Sequence, residues 1–452
     1  VGTGIWLTIR LNLIQVFKLI PALKLIFGAK SEGEGDVSSF KALCTALAAT
    51  VGTGNIVGVA TAVKMGGPGA LFWMWVAAFF GMATKYAECL LAVKFRTVDD
   101  NGNISGGPMY YIEKGMGEKY KPLAVMFAAF GVMCAYFGIG TFAQVNSIVE
   151  ITQISAGIPV IYTGIALTVL VGVVTIGGLK SIASVAEKIV PFMSVFYIIG
   201  SLIIIGMNYD KIIPAFGAIF SNAFTPTAAA GGTMGAALKM AITWGFKRGV
   251  FSNEAGLGSS VMVHSSSNVK EPVVQGLWGI FEVFFDTIIV CTMTALVILT
   301  SGVVNMQTGV SLSGATKLGL ATEAFTAHFG TFGGVFIAIA ITLFAFSTVL
   351  GWSYYGTKAW EYLFKGKGVA IYKVIFIAMI VACCVLDTSL AVDLSDTFNG
   401  LMMIPNLIGV LALSGLVIKI TNNYKARKIK GEDIKPMLSV FPEIQEEQEK
   451  DL

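Results

Sequence analysis

Apolar residues run along this chain in blocks too long for strands and too rarely interrupted for the faces of surface helices. After a partial block at the start, ten such segments lie near 41–65, 70–95, 121–152, 158–178, 184–207, 234–263, 272–300, 332–357, 369–387 and 396–420. A helix that crosses a bilayer needs roughly 20 apolar residues, so each segment is read as one span. Turn signals separate them, among them GGPG at 66–69 and SAGIP at 155–159. Two connections are long, 96–120 and 208–233, the second holding Pro214 and Pro226. The opening run Val1–Ile9 is too short to span, which predicts upstream residues that complete a first helix. Its continuation, with Arg10, Lys18 and Lys24 among Leu, Ile and Phe, reads as amphipathic and interfacial.

Composition closes off a soluble reading. The 452 residues are 55% hydrophobic and 13% charged, where a soluble domain carries about 25% charged residues. The expected class is an all-α, polytopic membrane protein of the plasma membrane, with the lipid bilayer as its solvent. The net charge of +4 reads as membrane orientation, not nucleic-acid binding. Lys94, Arg96, Lys114, Lys119 and Lys121 follow the second segment, and Lys180 and Lys188 the fourth. Lys270 follows the sixth, Lys358, Lys365 and Lys367 the eighth, and Lys419, Lys425, Arg427, Lys428 and Lys430 the tenth. The opposite loops hold chiefly Lys64, Lys211 and Lys317. Basic loops stay in the cytoplasm, so the carboxyl terminus is placed there. The alternation also supports the count, because one missed helix would scramble it. The acidic tail EIQEEQEKDL is then a solvated end with no implied partner. The six cysteines read as small buried hydrophobes, without metal-ligand spacing to His264 or His328.

Ten spans divide into two sets of five, and an odd number per set makes the second enter from the opposite side, as in an inverted repeat. The divisions expected are an amino-terminal extra helix and interfacial segment (1–40), a first repeat (41–207), an extracellular connection (208–233), a second repeat (234–420) and a cytoplasmic tail (421–452). Corresponding helices are interrupted comparably: Gly52-Thr53-Gly54-Asn55 in the first, Gly249 through Gly256 in the sixth. Each Gly costs roughly 1 kcal/mol against Ala in a helix. Backbone out of helical geometry at membrane depth survives only inside protein or along a cavity. There a half-helix beginning at Gly54-Asn55 offers N–H groups and a positive dipole end to a carboxylate. The half ending near Val51 offers carbonyls to a hard cation. Close helix packing through small residues is the competing explanation of these glycines.

The run VGTGN resembles the first-helix unwinding of LeuT-type, five-plus-five inverted-repeat transporters. More specifically, Gly66-Gly67-Pro68-Gly69-Ala70-Leu71-Phe72-Trp73-Met74-Trp75, with Gly81 beyond, resembles the signature of the alanine or glycine:cation symporter family, as do GGPMYYIEKGMG at 106–117 and NEAGLGSS at 253–260. The resemblance spans nearly the whole chain, the incomplete amino-terminal helix apart. It implies eleven helices and symport of alanine and glycine with a cation, Na+ as coupling ion, no organic cofactor and a monomer sufficient for transport.

The same resemblance implies site residues. Gly52, Thr53, Gly54 and Asn55 would form the substrate turn, with the Thr53 and Gly54 amides on the carboxylate. Carbonyls of Ala48 and Val51 with hydroxyls of Ser347 and Thr348 would hold Na+, a set suited to a monovalent hard ion; a membrane Ser-Thr pair also back-bonds its own turn. Gln144 either reaches substrate or bonds a neighbouring helix. Trp352, one turn after Thr348, either walls the pocket or packs. Phe246 and Phe251 flank the second interruption as lid candidates. Intramembrane charges are functional hypotheses by default: Lys85 and Glu88, Lys247, Arg248 and Glu254, Glu282 and Asp286. Mutual pairing competes with a gate, and with Lys247 or Arg248 neutralising the substrate. Glu254 is expected to open a half-helix. Proton coupling through Lys247 is the alternative to Na+. An ion channel would want a ring of filter elements, and an enzyme a catalytic cluster, yet no HExxH, GxSxG or paired Cys/His set is present.

Overall fold

The structure, a computed structural model, describes residues 1–28, 35–98, 103–224, 234–315, 317–384 and 388–450. Pro226 and the end of the ninth apolar segment, 385–387, lie outside them. Three short helices open the chain: α1 (Gly2–Arg10), α2 (Ile14–Phe17) and α3 (Leu19–Gly28). α4 (Ser39–Thr50) gives way to a π-helical turn, Gly54–Gly58, and α5 (Val59–Gly66). α6 (Gly69–Lys94) is a single 26-residue helix. A short antiparallel hairpin, β1 (Thr97–Val98) with β2 (Ile104–Ser105), and α7 (Pro108–Met116) fill the long 96–120 connection.

There follow α8 (Lys121–Phe137), α9 (Phe142–Ala156), α10 (Val160–Ile176), α11 (Gly178–Met207) and α12 (Ile212–Phe224). The second half holds α13 (Met234–Asn253), α14 (Val261–His264), α15 (Pro272–Val283), a π-helical stretch Phe284–Cys291, α16 (Thr292–Thr300) and α17 (Lys317–Phe329). The chain closes with α18 (Thr331–Phe364), α19 (Val369–Cys383), α20 (Thr388–Ala412), α21 (Ser414–Lys430) and α22 (Pro442–Glu449).

Five stretches are long and apolar enough to cross a membrane, and two bent pairs raise the number to seven among the described residues. The bends are 50° between Ser39–Thr50 and Gly54–Gly66, and 55° between Leu390–Ala412 and Ser414–Lys430. Val173, Phe192 and Ile371 on α10, α11 and α19 are more than half exposed. Large apolar side chains in such number suit hydrocarbon and not water.

These elements depart from the expected spans at several places and fill in one connection. The sixth segment does not break at Gly249. A Cβ there would lie 3.1 Å from Ala77 Cβ, and one at Gly245 would meet Trp73 Cβ at 2.5 Å. These two glycines let α13 lie close on α6, as a small-residue seam does. The helix instead runs to Asn253 and breaks at Glu254–Ser260, where Glu254, Gly256 and Gly258 take φ of 55°, 91° and 79°. The third segment is interrupted at Gly138–Thr141, and the tenth is bent at Leu413. The 208–233 connection carries α12, whose Phe220 and Phe224 pack on Phe72. The acidic tail is not wholly solvated: Gln445 and Gln448 are buried, and Gln445 Oε1 accepts from the Leu438 and Ser439 amides at 2.9 Å each.

Candidate functional site

The two interruptions face one another. α4 ends at Thr50, whose hydroxyl back-bonds to the Ala46 carbonyl at 3.1 Å. Helical geometry is lost at Val51, with ψ of 86°. The freed backbone is then caught by side chains, as buried amides require. The Gly52 amide donates to Asn55 Oδ1 at 2.9 Å, and the Thr53 amide to Gln144 Oε1 at 3.2 Å. The Ala48 carbonyl accepts from Thr348 Oγ1 at 3.2 Å. A Cβ on Gly52 would stand 2.4 Å from that hydroxyl, so glycine is what lets α18 approach the break. Ser347, by contrast, donates to its own turn at Phe344, 2.9 Å away, and lies beside Met193 of α11. Of the expected hydroxyl pair only Thr348 meets the α4 end; Ser347 faces another helix.

Asn55 joins this break to the π-helical stretch between α15 and α16. Its Nδ2 donates to Asp286 Oδ1 at 2.7 Å and to the Asp286 carbonyl at 3.2 Å. Ser252, in the last turn of α13, donates to the same Oδ1 at 3.2 Å, and Thr287 donates to Oδ2 at 2.7 Å. Asp286 is fully buried. Among the described residues no basic nitrogen pairs with it. A lone buried carboxylate costs several kcal/mol even after relaxation, and three neutral donors do not cancel its charge. The sequence reading set Asp286 among gate charges. The structure places it between the two breaks, held by the Asn55 amide and the hydroxyls of Ser252 and Thr287.

The other intramembrane charges are shared differently. Lys247 and Arg248 each lie 2.8 Å from Asp396 of α20, an acid the sequence reading did not single out. Its signal was there: Asp393 and Asp396, one turn apart, open the last apolar segment. Lys85 bonds Ser260 at 2.7 Å and pairs with Glu282 at 3.4 Å, whose other oxygen lies 2.8 Å from His264 Nε2. Glu88 receives the Gly256 amide at 3.4 Å, and Asn406 donates to the Gly256 carbonyl at 2.8 Å. Glu254 does not open a half-helix; it follows the end of α13 and accepts from Trp352 Nε1 at 2.9 Å and from Ser259. Lys85, Glu88, Glu254 and Glu282 thus brace the second break, and Trp352 serves as its tether.

A cavity of about 370 Å³ reaches down to the first break. Thr53, Gly54, Asn146, Arg248, Phe251 and Asp396 are among the residues that line it. The Phe251 ring lies over Gly54, 3.3 Å from where a Cβ would stand, and the Arg248 guanidinium sits 5.1 Å from the ring centre. Phe246 takes no part: it packs on Trp73 at 5.5 Å between ring centres, away from the cavity.

A bundle of apolar helices, two of them opened side by side around a buried carboxylate under a charged vestibule, is the architecture of a membrane transporter. The chain belongs to the sodium:alanine symporter family, whose model matches residues 1–437. It is 49% identical to an uncharacterized transporter of Haemophilus influenzae and 48% identical to the sodium/alanine symporter AgcS of Methanococcus maripaludis. Each match covers 94% of this chain and 92% of the relative. In fold it resembles the solved structure of MhsT in complex with L-phenylalanine, with a TM-score of 0.57 at 14% identity over 86% of this chain and 90% of that one.

Proposed function

We propose that this protein takes up a small neutral amino acid, alanine or glycine, together with Na+ by alternating access. The observation that carries the reading is Asp286, buried without a basic partner yet bonded to both interrupted helices. Na+ there would neutralise the carboxylate, with the hydroxyl oxygens of Ser252 and Thr287 at hand. Its binding would fix Asn55, and Asn55 holds the Gly52 amide, so ion and substrate turn share one side chain. Coupling is then the difference in substrate affinity with and without the ion, typically 5- to 150-fold. The Ala48 carbonyl and Thr348 offer a second place for a cation. Substrate would lie beside Thr53 and Gly54 beneath Phe251, its carboxylate drawing the Thr53 amide from Gln144.

The same reading includes the five-plus-five inverted repeat in eleven helices, the divisions given above, a plasma-membrane location with cytoplasmic carboxyl terminus, and transport by a single copy. On that orientation the vestibule opens outward. The test is uptake into proteoliposomes at fixed pH. Alanine accumulation that saturates and needs an inward Na+ gradient is expected. Accumulation driven equally well by a proton gradient with no Na+ would replace this reading with the proton-coupled one, and non-saturating flux would indicate a channel.

Arg248 then belongs to an outer gate. Its link to Asp396 joins α13 to α20, and replacing one partner of a partly buried pair costs roughly 2 kcal/mol or more. Arg248→Gln is expected to leave alanine binding within about threefold of wild type, while uptake falls more than about tenfold. Binding and uptake lost in parallel would instead put the guanidinium on the substrate.

A further inference from the structure

We propose that a basic, greasy recess between the amino-terminal helices and α21 binds the phosphate headgroup of an anionic phospholipid. The recess, about 170 Å³, is lined by Lys18 between α2 and α3 and by Lys425 and Lys428 of α21. Its floor is apolar: Ile14, Pro21 and Leu277. Three lysines line one hollow, and among the described residues none of them has an ion-pair or hydrogen-bond partner. Like charges gathered this way repel unless an anion joins them. The neighbouring Arg427 is already committed, bidentate to Glu271 at 2.7 and 2.9 Å. Among the described residues no carboxylate of α22 pairs with these lysines, and Glu449 lies 3.4 Å from Lys435 instead.

The surroundings select a lipid as the anion's carrier. Phe17, Ile20 and Ile429 beside the lysines are 68%, 65% and 61% exposed, which is tolerable where acyl chains cover them. α21, which carries Lys425 and Lys428, bends 55° away from α20. Clusters of lysines beside membrane-spanning helices bind anionic headgroups, each worth about 1 kcal/mol. The position matters to the moving parts. α21 is fastened to α6 by the 2.8 Å bond between Thr421 and Tyr86, and to the start of α15 by the Arg427–Glu271 pair. A headgroup bridging Lys18 to Lys425 and Lys428 would clip the amino-terminal helices onto the same clamp.

The full-length protein, purified and placed in nanodiscs of phosphatidylcholine alone or mixed equally with phosphatidylglycerol, tests this. Retained lipid is read by native mass spectrometry and stability by thermal melting. Wild type is expected to keep phosphatidylglycerol in preference to phosphatidylcholine and to melt higher with it, and inorganic phosphate should not substitute. Lys18→Gln, Lys425→Gln and Lys428→Gln should each weaken that retention about fivefold, and the triple variant should lose it. Lys365→Gln with Lys367→Gln, two exposed lysines beyond α18, should change nothing. Equal retention by wild type and triple variant, an equal loss in the Lys365/Lys367 control, or full rescue by inorganic phosphate would each overturn the proposal. None of these readouts depends on transport, so the outcome is separable from that of the uptake assay.

Discussion

Replacing Asp286 by Asn is expected to abolish the effect of Na+ on alanine binding while leaving the protein folded. The carboxylate is buried and unpaired by any described basic group, held by Asn55, Ser252 and Thr287. Without Na+ it is a charge with no counter-ion, and removing such a charge relieves a cost of several kcal/mol. Two measurements of opposite sign follow. In Na+-free buffer the Asp286→Asn protein should melt higher than wild type. Adding Na+ should raise the wild-type melting temperature, because a ligand bound only by the native state stabilises it, and should leave that of the variant unmoved. Alanine affinity, measured in Na+, K+ or neither at fixed pH, should differ by about tenfold or more in wild type and by less than about twofold in the variant. Uptake should fall about a hundredfold or more, since losing one side of a buried charge interaction costs about 3–5 kcal/mol. A variant whose alanine affinity still rises with Na+ would remove Asp286 from the coupling, and the ion would then belong with Ala48 and Thr348.

How far the sequence could carry this argument differs from one break to the other. At Gly52–Asn55 three signals coincide within four residues: two glycines, a β-branched Thr and an Asn able to bond its own backbone. No helical packing need explains all of them. In the sixth segment glycine serves two purposes within fourteen residues. Gly245 and Gly249 give α13 its approach to α6, while Gly256 and Gly258 allow the left-handed turn. Spacing along one strand of text cannot separate these uses, because the deciding atoms, Trp73, Ala77 and Pro108, come from elsewhere in the chain. The same holds for the charges. Mutual pairing is one expectation for them, and Lys85–Glu282 is such a pair, whereas Lys247 pairs with Asp396, outside the charges singled out. Which acid would be left over depends on the fold alone. Asp286 is stranded while Arg248 and Lys247 both pair with Asp396, which lies in the tenth segment, beyond all the charges singled out.

Gly52→Ala is expected to cost nearly as much uptake as the loss of Asp286, for a steric reason. The new methyl would stand 2.4 Å from Thr348 Oγ1 and 3.3 Å from Gln144 Oε1. Thr348 cannot simply turn away. A β-branched side chain on a helix has few rotamers, and its hydroxyl is held by the Ala48 and Phe344 carbonyls at 3.2 and 3.0 Å. Overpacking of this kind costs about 1–3 kcal/mol, and here it falls on the contact that joins the α4 break to α18. Uptake should drop about ten- to a hundredfold, with a lower melting temperature. Thr348→Ala removes the obstructing hydroxyl. In the double variant the melting temperature should recover most of the loss, which a double-mutant cycle would register as coupling between the two sites. Transport should not recover with it, because the Ala48 carbonyl would still lack its partner hydroxyl. Were both stability and Na+-driven uptake restored together, Thr348 would matter only for the space it fills, and Asp286 alone would carry the ion.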